Sequence, residues 1–175
     1  MSIEPDKIYV AYYKPVGIES TLNKSIENNL ADALPIAERL FPLGRLDKAS
    51  EGLMILTNDG KIYNGVTNSK NQKEKEYEVK VGQAITEDFL LKMSTGIEIM
   101  GQTTKPCFIK KTDEFTFSII LTQGLNRQIR RMCYKLGYEV TYLKRIRIMN
   151  LTLGNLQKGE FRYLTEIEID ELKIH

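Results

Sequence analysis

The stretch that most constrains this chain is Leu43–Gly60, LGRLDKASEGLMILTNDG. Gly52 to Thr57 is an apolar run that Asn58, Asp59 and Gly60 end in a turn, so it reads as a short buried strand, and the fold must carry a sheet around it. Ahead of that strand a single carboxylate, Asp47, sits between a glycine-arginine turn and the apolar run. Gly44 lets the backbone bend, or approach a ligand, with no Cβ in the way. Arg45 adds a fixed charge with five donors. An acidic residue in a glycine-bounded loop either caps a turn or is held there as a lone nucleophile, and the residues by themselves allow both.

With 175 residues the chain is long enough for one compact domain, here with two halves, whose core stands without disulfides or metal. The hydrophobic fraction of 42% and charged fraction of 27% are those of a soluble globular protein. No window approaches the apolar length of a membrane span, and the polar start MSIEPDK is no signal peptide. No membrane partner and a cytoplasmic location are therefore expected. Cys107 and Cys133 lie in apolar contexts and read as small core residues rather than a disulfide or ligand pair. The only histidine is His175, at the C-terminus. Chemistry built on Ser-His, Cys-His or His-ligated zinc thus has no internal histidine to use, and no metal is expected.

A net charge of +2 says little, but its distribution says more. From Gln123 to Met149 seven basic residues (Arg127, Arg130, Arg131, Lys135, Lys144, Arg145 and Arg147) face one acid, Glu139, a local charge of +6 against about −4 on the rest of the chain. One basic patch on a mildly acidic body fits a locally bound polyanion, with salt-dependent affinity.

The element order is mixed α and β. Strands are predicted over Ile8–Tyr13, Leu53–Thr57, Tyr77–Val81, Thr116–Leu121, Val140–Leu143 and Arg145–Met149. Thr86 can cap a helix that has Glu87 and Asp88 at its positive end, an apolar stripe of Phe89, Leu90 and Met93, and Gly96 as its stop. Thr165 and Glu168 have the spacing of a capping box for a helix running through Lys173. Lys61–Lys75 reads as a short helix followed by an exposed polar loop.

Gln123–Val140, QGLNRQIRRMCYKLGYEV, reads as a helix entered from a glycine loop and closed at Gly137. Ile129, Met132, Cys133 and Leu136 share one stripe, and Arg127, Arg130, Arg131 and Tyr134 share the opposite one. Arginines at these spacings repel one another and lack the interleaved acids that usually stabilise a solvated helix, so the residues by themselves read either as a solvated basic face or as a stripe that an anion offsets.

These segments together resemble the pseudouridine synthases. GRLD followed by GL-apolar-LTNDG resembles their catalytic motif, Lys75-Glu76-Tyr77-Glu78-Val79 fits their KxYxV signature, Lys14-Pro15-Val16-Gly17 their opening KPxG turn, and NRQIRRM their basic motif. The resemblance runs from Ile8 to Leu172. Within the RsuA/RluB/RluE/RluF branch it is strongest to RluF-type ribosomal RNA enzymes, through LTQGLNRQIRRMC, GYEV and RIRIMN followed by GEFRYLT. It implies an α+β fold, a bent, mixed but mostly antiparallel sheet with flanking helices and a central cleft. It also implies that Asp47, Tyr77 and Arg130 are catalytic, Arg130 pairing with Asp47 and Tyr77 lying over the target base. Arg45, Lys75, Asn126, Arg127, Arg131, Lys144 and Arg145 are then the residues expected on RNA. Members of the branch usually begin with a small S4-type RNA-binding domain, whereas this chain has little before Ile8, so the expectation is a single catalytic domain over 1–175 without an S4 domain, acting as a monomer.

The activity so implied converts uridine into its C5-glycoside. The N1–C1′ bond breaks, the uracil turns, C5 bonds to C1′ and the C5 proton leaves. Nothing is oxidised or hydrolysed overall, so no cofactor is expected. Asp47 can attack C1′ or C6, or take the 2′ proton, and the uridine must leave its stack to be reached. Large-subunit ribosomal RNA is the expected substrate, with transfer RNA as the alternative. A non-catalytic RNA-binding or ribosome-assembly module would need the basic helix but neither Asp47 nor Tyr77.

Overall fold

The computed structural model describes residues 6–67 and 73–173. The chain forms two compact units, Met1–Asn71 with Asn150–His175, and Gln72–Met149. The first unit opens with β1 (Tyr9–Lys14), α1 (Leu30–Ala33), β2 (Phe41–Pro42), β3 (Glu51–Thr57) and α2 (Gly60–Thr67). The second holds β4 (Lys75–Val81), α3 (Glu87–Thr95), β5 (Glu98–Ile99), β6 (Gln102–Thr103), β7 (Phe108–Asp113), β8 (Thr116–Leu121), α4 (Gln128–Lys135) and β9 (Val140–Ile148). The chain then completes the first unit with β10 (Leu151–Thr152), β11 (Phe161–Tyr163) and α5 (Glu166–Lys173). The class is α+β, as expected. Among the described residues no helix is long and apolar enough to cross a membrane.

In the first unit β3 pairs antiparallel with β1 on one edge and β2 on the other, and β11 extends the sheet beyond β1. Every residue of β1 and β3 is buried, which explains the continuous apolar run. Full burial of Leu53, Ile55 and Leu56 contributes roughly 1.5–3 kcal/mol each. Strand β1 begins one residue later than the sequence suggests, because the Ile8 N–H donates to Asn58 Oδ1 (2.8 Å) and its carbonyl accepts from Thr57 Oγ1 (2.7 Å). Strand β3 begins earlier, at Glu51. Its buried carboxylate accepts from the Tyr13 hydroxyl and lies 3.5 Å from Lys158 Nζ.

In the second unit four antiparallel strands run in the order β9-β4-β8-β7, beside the small β5–β6 hairpin. Val79, Phe117, Ile119, Leu121 and Leu143 pack with Phe89 and Met93 of α3 and with Ile129, Met132 and Cys133 of α4. The two strands expected over 140–149 are one strand, β9, since only Lys144 separates them and lysine breaks nothing. Strand β4 starts at Lys75, two residues before Tyr77, because Lys75 and Glu76 pair with Leu121 and Ile120. Strand β7 escapes sequence reading: it is an edge strand, exposed along most of its length, so burial imposes no alternation on it.

Three helix signals act as their chemistry requires. The Thr86 side chain accepts from Phe89 N at 3.1 Å. Gly96, at φ +121°, ends α3 where a Cβ would sit 2.6 Å from the Thr104 carbonyl. Thr165 and Glu168 form the reciprocal box ahead of α5 (Glu168 N–H to Oγ1 3.2 Å, Thr165 N–H to Oε1 2.9 Å). Helix α2 covers the start of the Lys61–Lys75 segment, while 68–72, most of the expected polar loop, lies outside the described residues.

Helix α4 is shorter than its sequence pattern. It starts at Gln128, and Arg127 is its N-cap in left-handed geometry (φ 49°, ψ 39°). Arg127 therefore does not continue the helical stripe of Arg130, Arg131 and Tyr134, because Gln128 draws the preceding loop onto itself. Its Oε1 accepts from Leu125 N at 3.2 Å and its Nε2 donates to Gln123 Oε1 at 3.2 Å. Leu136 is the C-cap, and the N–H groups of Gly137 (φ 81°) and Tyr138 return to the carbonyls of Tyr134 and Cys133 in a Schellman ending.

Candidate active site

In the first unit the Asp47 loop is fastened residue by residue. Leu43 N–H joins the Ile55 carbonyl at 2.7 Å, and Gly44, at φ +93°, turns the chain away from that contact. Buried Ser20 clamps Leu46 on both sides, donating to its carbonyl (2.5 Å) and accepting from its N–H (3.1 Å). After Asp47, the Lys48 carbonyl accepts from Gly17 N–H (2.8 Å) and from Lys14 Nζ (3.5 Å). Lys14 has no exposed surface, and its ammonium also donates to the carbonyls of Pro15 (3.0 Å) and Ile18 (2.8 Å). Buried charge is tolerated only when so surrounded. The Lys14–Gly17 turn and the Asp47 loop are thus one piece of backbone architecture, with Asp47 half-buried and Arg45 exposed at its surface.

The LTNDG end of the motif is a staple. Asn58 and Thr57 hold Ile8, Asn58 Nδ2 reaches the Asp6 carbonyl (2.9 Å), and Asp59 accepts from the Tyr9 hydroxyl (2.6 Å) and from Lys61 N (3.1 Å) at the start of α2. Burial alone would raise the Asp59 carboxyl, but the Tyr9 hydroxyl and the N–H groups of Lys61 and Ile62 outweigh it and hold it below the usual range. Burial, then Asp59, pushes the Tyr9 phenol up to about 12.

In the second unit a bulge sorts the side chains. Glu76 pairs with Arg147 but Tyr77 pairs with Arg145, leaving Ile146 as a surplus residue in β9. Two arginines that a regular strand would place on one face are thereby sent to opposite faces. Arg145, 1% exposed, shares the core face with Tyr77 and Lys75. Burial, then the Arg145 charge, lowers the Lys75 pKa. On the other face Arg147 Nε is 2.9 Å from Glu76 and Nη2 3.2 Å from Glu74, and Lys144 stands opposite Glu78.

On the loop before α4, Arg131 folds back to Asn126, with Nε 3.0 Å from its carbonyl and Nη2 2.9 Å from Oδ1. The structure thus gathers Lys75, Tyr77 and Arg145 on one face, joins Asn126 to Arg131, keeps Arg45 beside Asp47, and turns Lys144 away from Tyr77. Sequence reasoning missed Ser20, a lone serine far from Leu46 in the chain, and could not tell that Lys14 is buried. The two thiols do lie in apolar surroundings, burial pushing Cys107 up to about 11 and Cys133 to about 12.

Comparison with known proteins identifies the arrangement. Residues 8–135 match the RNA pseudouridylate synthase family. The chain is 48% identical over 174 residues to the dual-specificity RNA pseudouridine synthase RluF of Escherichia coli (strain K12), covering 97% of this chain and 60% of that protein. It is 32% identical over 178 residues to the ribosomal large subunit pseudouridine synthase B of Bacillus subtilis (strain 168), covering 96% of this chain and 72% of that one. A crystal structure of a pseudouridylate synthase superposes with a TM-score of 0.89 at 29% identity, over 95% of this chain and 74% of the other. The chain spans about 60% of the length of the RluF relatives it matches. With the motif residues in place and the family matched across most of its length, the chain belongs to the RNA pseudouridylate synthases.

Proposed function

We propose that this chain isomerises a uridine of large-subunit ribosomal RNA to pseudouridine, without a cofactor, as a monomeric cytoplasmic enzyme whose residues 1–175 serve as one catalytic domain. The observation that carries the reading is the 48% identity to an RNA pseudouridine synthase across nearly the whole chain. The ribosomal large subunit enzyme among its relatives supports the substrate. Asp47 supplies the carboxylate that acts at C1′, at C6 or on the 2′ proton. Arg130 is the cationic partner assigned to that carboxylate. Tyr77 stacks on the uracil and serves the late loss of the C5 proton, directly or through water. Arg45, Lys75, Asn126, Arg127 and Arg131 hold the RNA, while Arg145, 1% exposed beside Tyr77, supports that face from within and Lys144 stands opposite Glu78. The fixed backbone on both sides of Asp47 supports this assignment, because a nucleophile gains from being positioned before its substrate arrives.

The dual specificity named for the RluF relatives favours a second RNA substrate here as well, and transfer RNA is the one to examine. Pseudouridine mapping of ribosomal and transfer RNA from cells with and without this protein decides both points. Loss of a modified position in ribosomal RNA is the expected result. Loss in transfer RNA alone would reassign the substrate, and unchanged maps would overturn the activity.

A further inference from the structure

The second unit contains a groove of about 590 Å³ between α4 and the β5–β6 hairpin. It is lined by Arg127 at the N-cap of α4, by Arg130, Arg131, Tyr134 and Lys135 of the helix, and from the hairpin by Met100 among others. Five charge-bearing or aromatic side chains on one wall face an apolar tip on the other. Two features there serve the fold poorly. Tyr134 is 82% exposed and Met100 57% exposed, so neither contributes much to the core. Met100 has φ +50° and Gly101 φ +77°, the consecutive left-handed pair of a tight hairpin turn in which asparagine, aspartate or glycine is preferred. A methionine held in that strained conformation and left exposed points to a use outside folding.

The charge identifies the occupant. Arg127, Arg130, Arg131 and Lys135 outnumber the two lining acids, Glu98 and Glu139, so the groove as a whole favours a polyanion. An aromatic ring and a flexible thioether beside such charges suit a flat, apolar face carried on a phosphodiester. We propose that this groove binds one unstacked nucleotide of a single-stranded RNA segment, its base between Tyr134 and Met100 and its phosphates on Arg127, Arg131 and Lys135. The nucleotide belongs to the same RNA as the target uridine, and the assignment rests on the RNA reading above. Tyr134 and Met100 then act in binding and not in the reaction.

The test is a binding competition on the intact chain between two short single-stranded RNAs of equal length, one ordinary and one abasic, at fixed salt. The wild-type chain is expected to prefer the base-bearing strand about tenfold, the size of one stacking contact. Tyr134→Ala is expected to lose most of that preference. Met100→Gly is expected to lose several-fold while its thermal midpoint rises, because glycine relieves the left-handed backbone; a purely structural methionine would leave the preference alone. Equal binding of both RNAs by the wild type, or an unchanged preference in both variants, overturns the groove. A parallel assay for pseudouridine separates the two readings. A chain that isomerises uridine without the Tyr134- and Met100-dependent preference keeps its activity and loses this site. One that shows the preference but makes no pseudouridine keeps the site and loses the activity.

Discussion

Lys14 places an ammonium where no water reaches it and surrounds it with three carbonyls, one of them from the residue after Asp47. Together with Ser20 on the residue before, it leaves the Asp47 backbone little freedom. Asp47→Asn is accordingly expected to keep its fold and its RNA affinity while losing isomerisation, read as tritium release from C5-labelled RNA; measurable release would remove Asp47 from the chemistry. Tyr77→Phe, which keeps the ring, is expected to retain more activity than Tyr77→Leu, and equal turnover in the two would leave Tyr77 a strand residue. Asp59 belongs to stability instead. Its carboxyl ionises below the usual range when folded, so its ion stabilises the fold above that range and the contribution disappears as acid protonates it. The Tyr9 phenol, raised from 10.0 to about 12, contributes fully below 10 and loses its contribution as pH climbs through 12. Asp59→Asn is expected to cost about 2 kcal/mol near neutrality, with the gap from wild type closing in acid. A pH series of urea melts measures it, and a constant gap would contradict the linkage.

Among the elements, those whose signals are local were legible before the fold was known. The α5 box is one: Thr165 and Glu168 recognise each other across a single turn. Arg162 adds two bonds to Glu168, at 2.7 and 2.8 Å, and holds its carboxyl down at about 2, below its ordinary 4.5. Thr165→Ala is expected to cost about 1 kcal/mol. Glu168→Gln should be destabilised at neutral pH and approach wild type as pH falls from 4.5 toward 2, which calorimetry across that range reads directly. Edge strand β7, the hairpin β5–β6 and the short β11 were not legible, because their pairing depends on partners distant in sequence. The start of α4 was misread for a related reason. Spacing puts Arg127 in register with Arg130 and Arg131, but the Gln128 side chain closes the loop first.

For the whole molecule, the basic excess read from the sequence overstates the surface open to RNA. Arg147 is taken up by Glu74 and Glu76, Lys144 faces Glu78 and Arg145 is buried. Neutralising Lys135 or Arg131 is therefore expected to flatten the log-log salt dependence of RNA binding by about 0.7 per lost single-strand phosphate contact, whereas Arg147→Ala leaves the slope unchanged; filter binding over a potassium chloride series compares them. The candidate catalytic residues were legible because their motifs are contiguous, whereas the clamp by Ser20 and the sorting of Arg145 from Arg147 require the folded sheet. That sorting bears on inheritance. Since Ile146 is the residue without a partner in β4, losing its codon leaves Arg145 opposite Tyr77 and Arg147 opposite Glu76 along that edge. Loss of Ser118 from the regularly paired β8 would reverse every side chain beyond it. The chain lacking Ile146 is expected to fold and melt cooperatively and the chain lacking Ser118 to be unfolded, so the strand carrying the arginines is buffered against the frame-preserving lesion that ruins its neighbour.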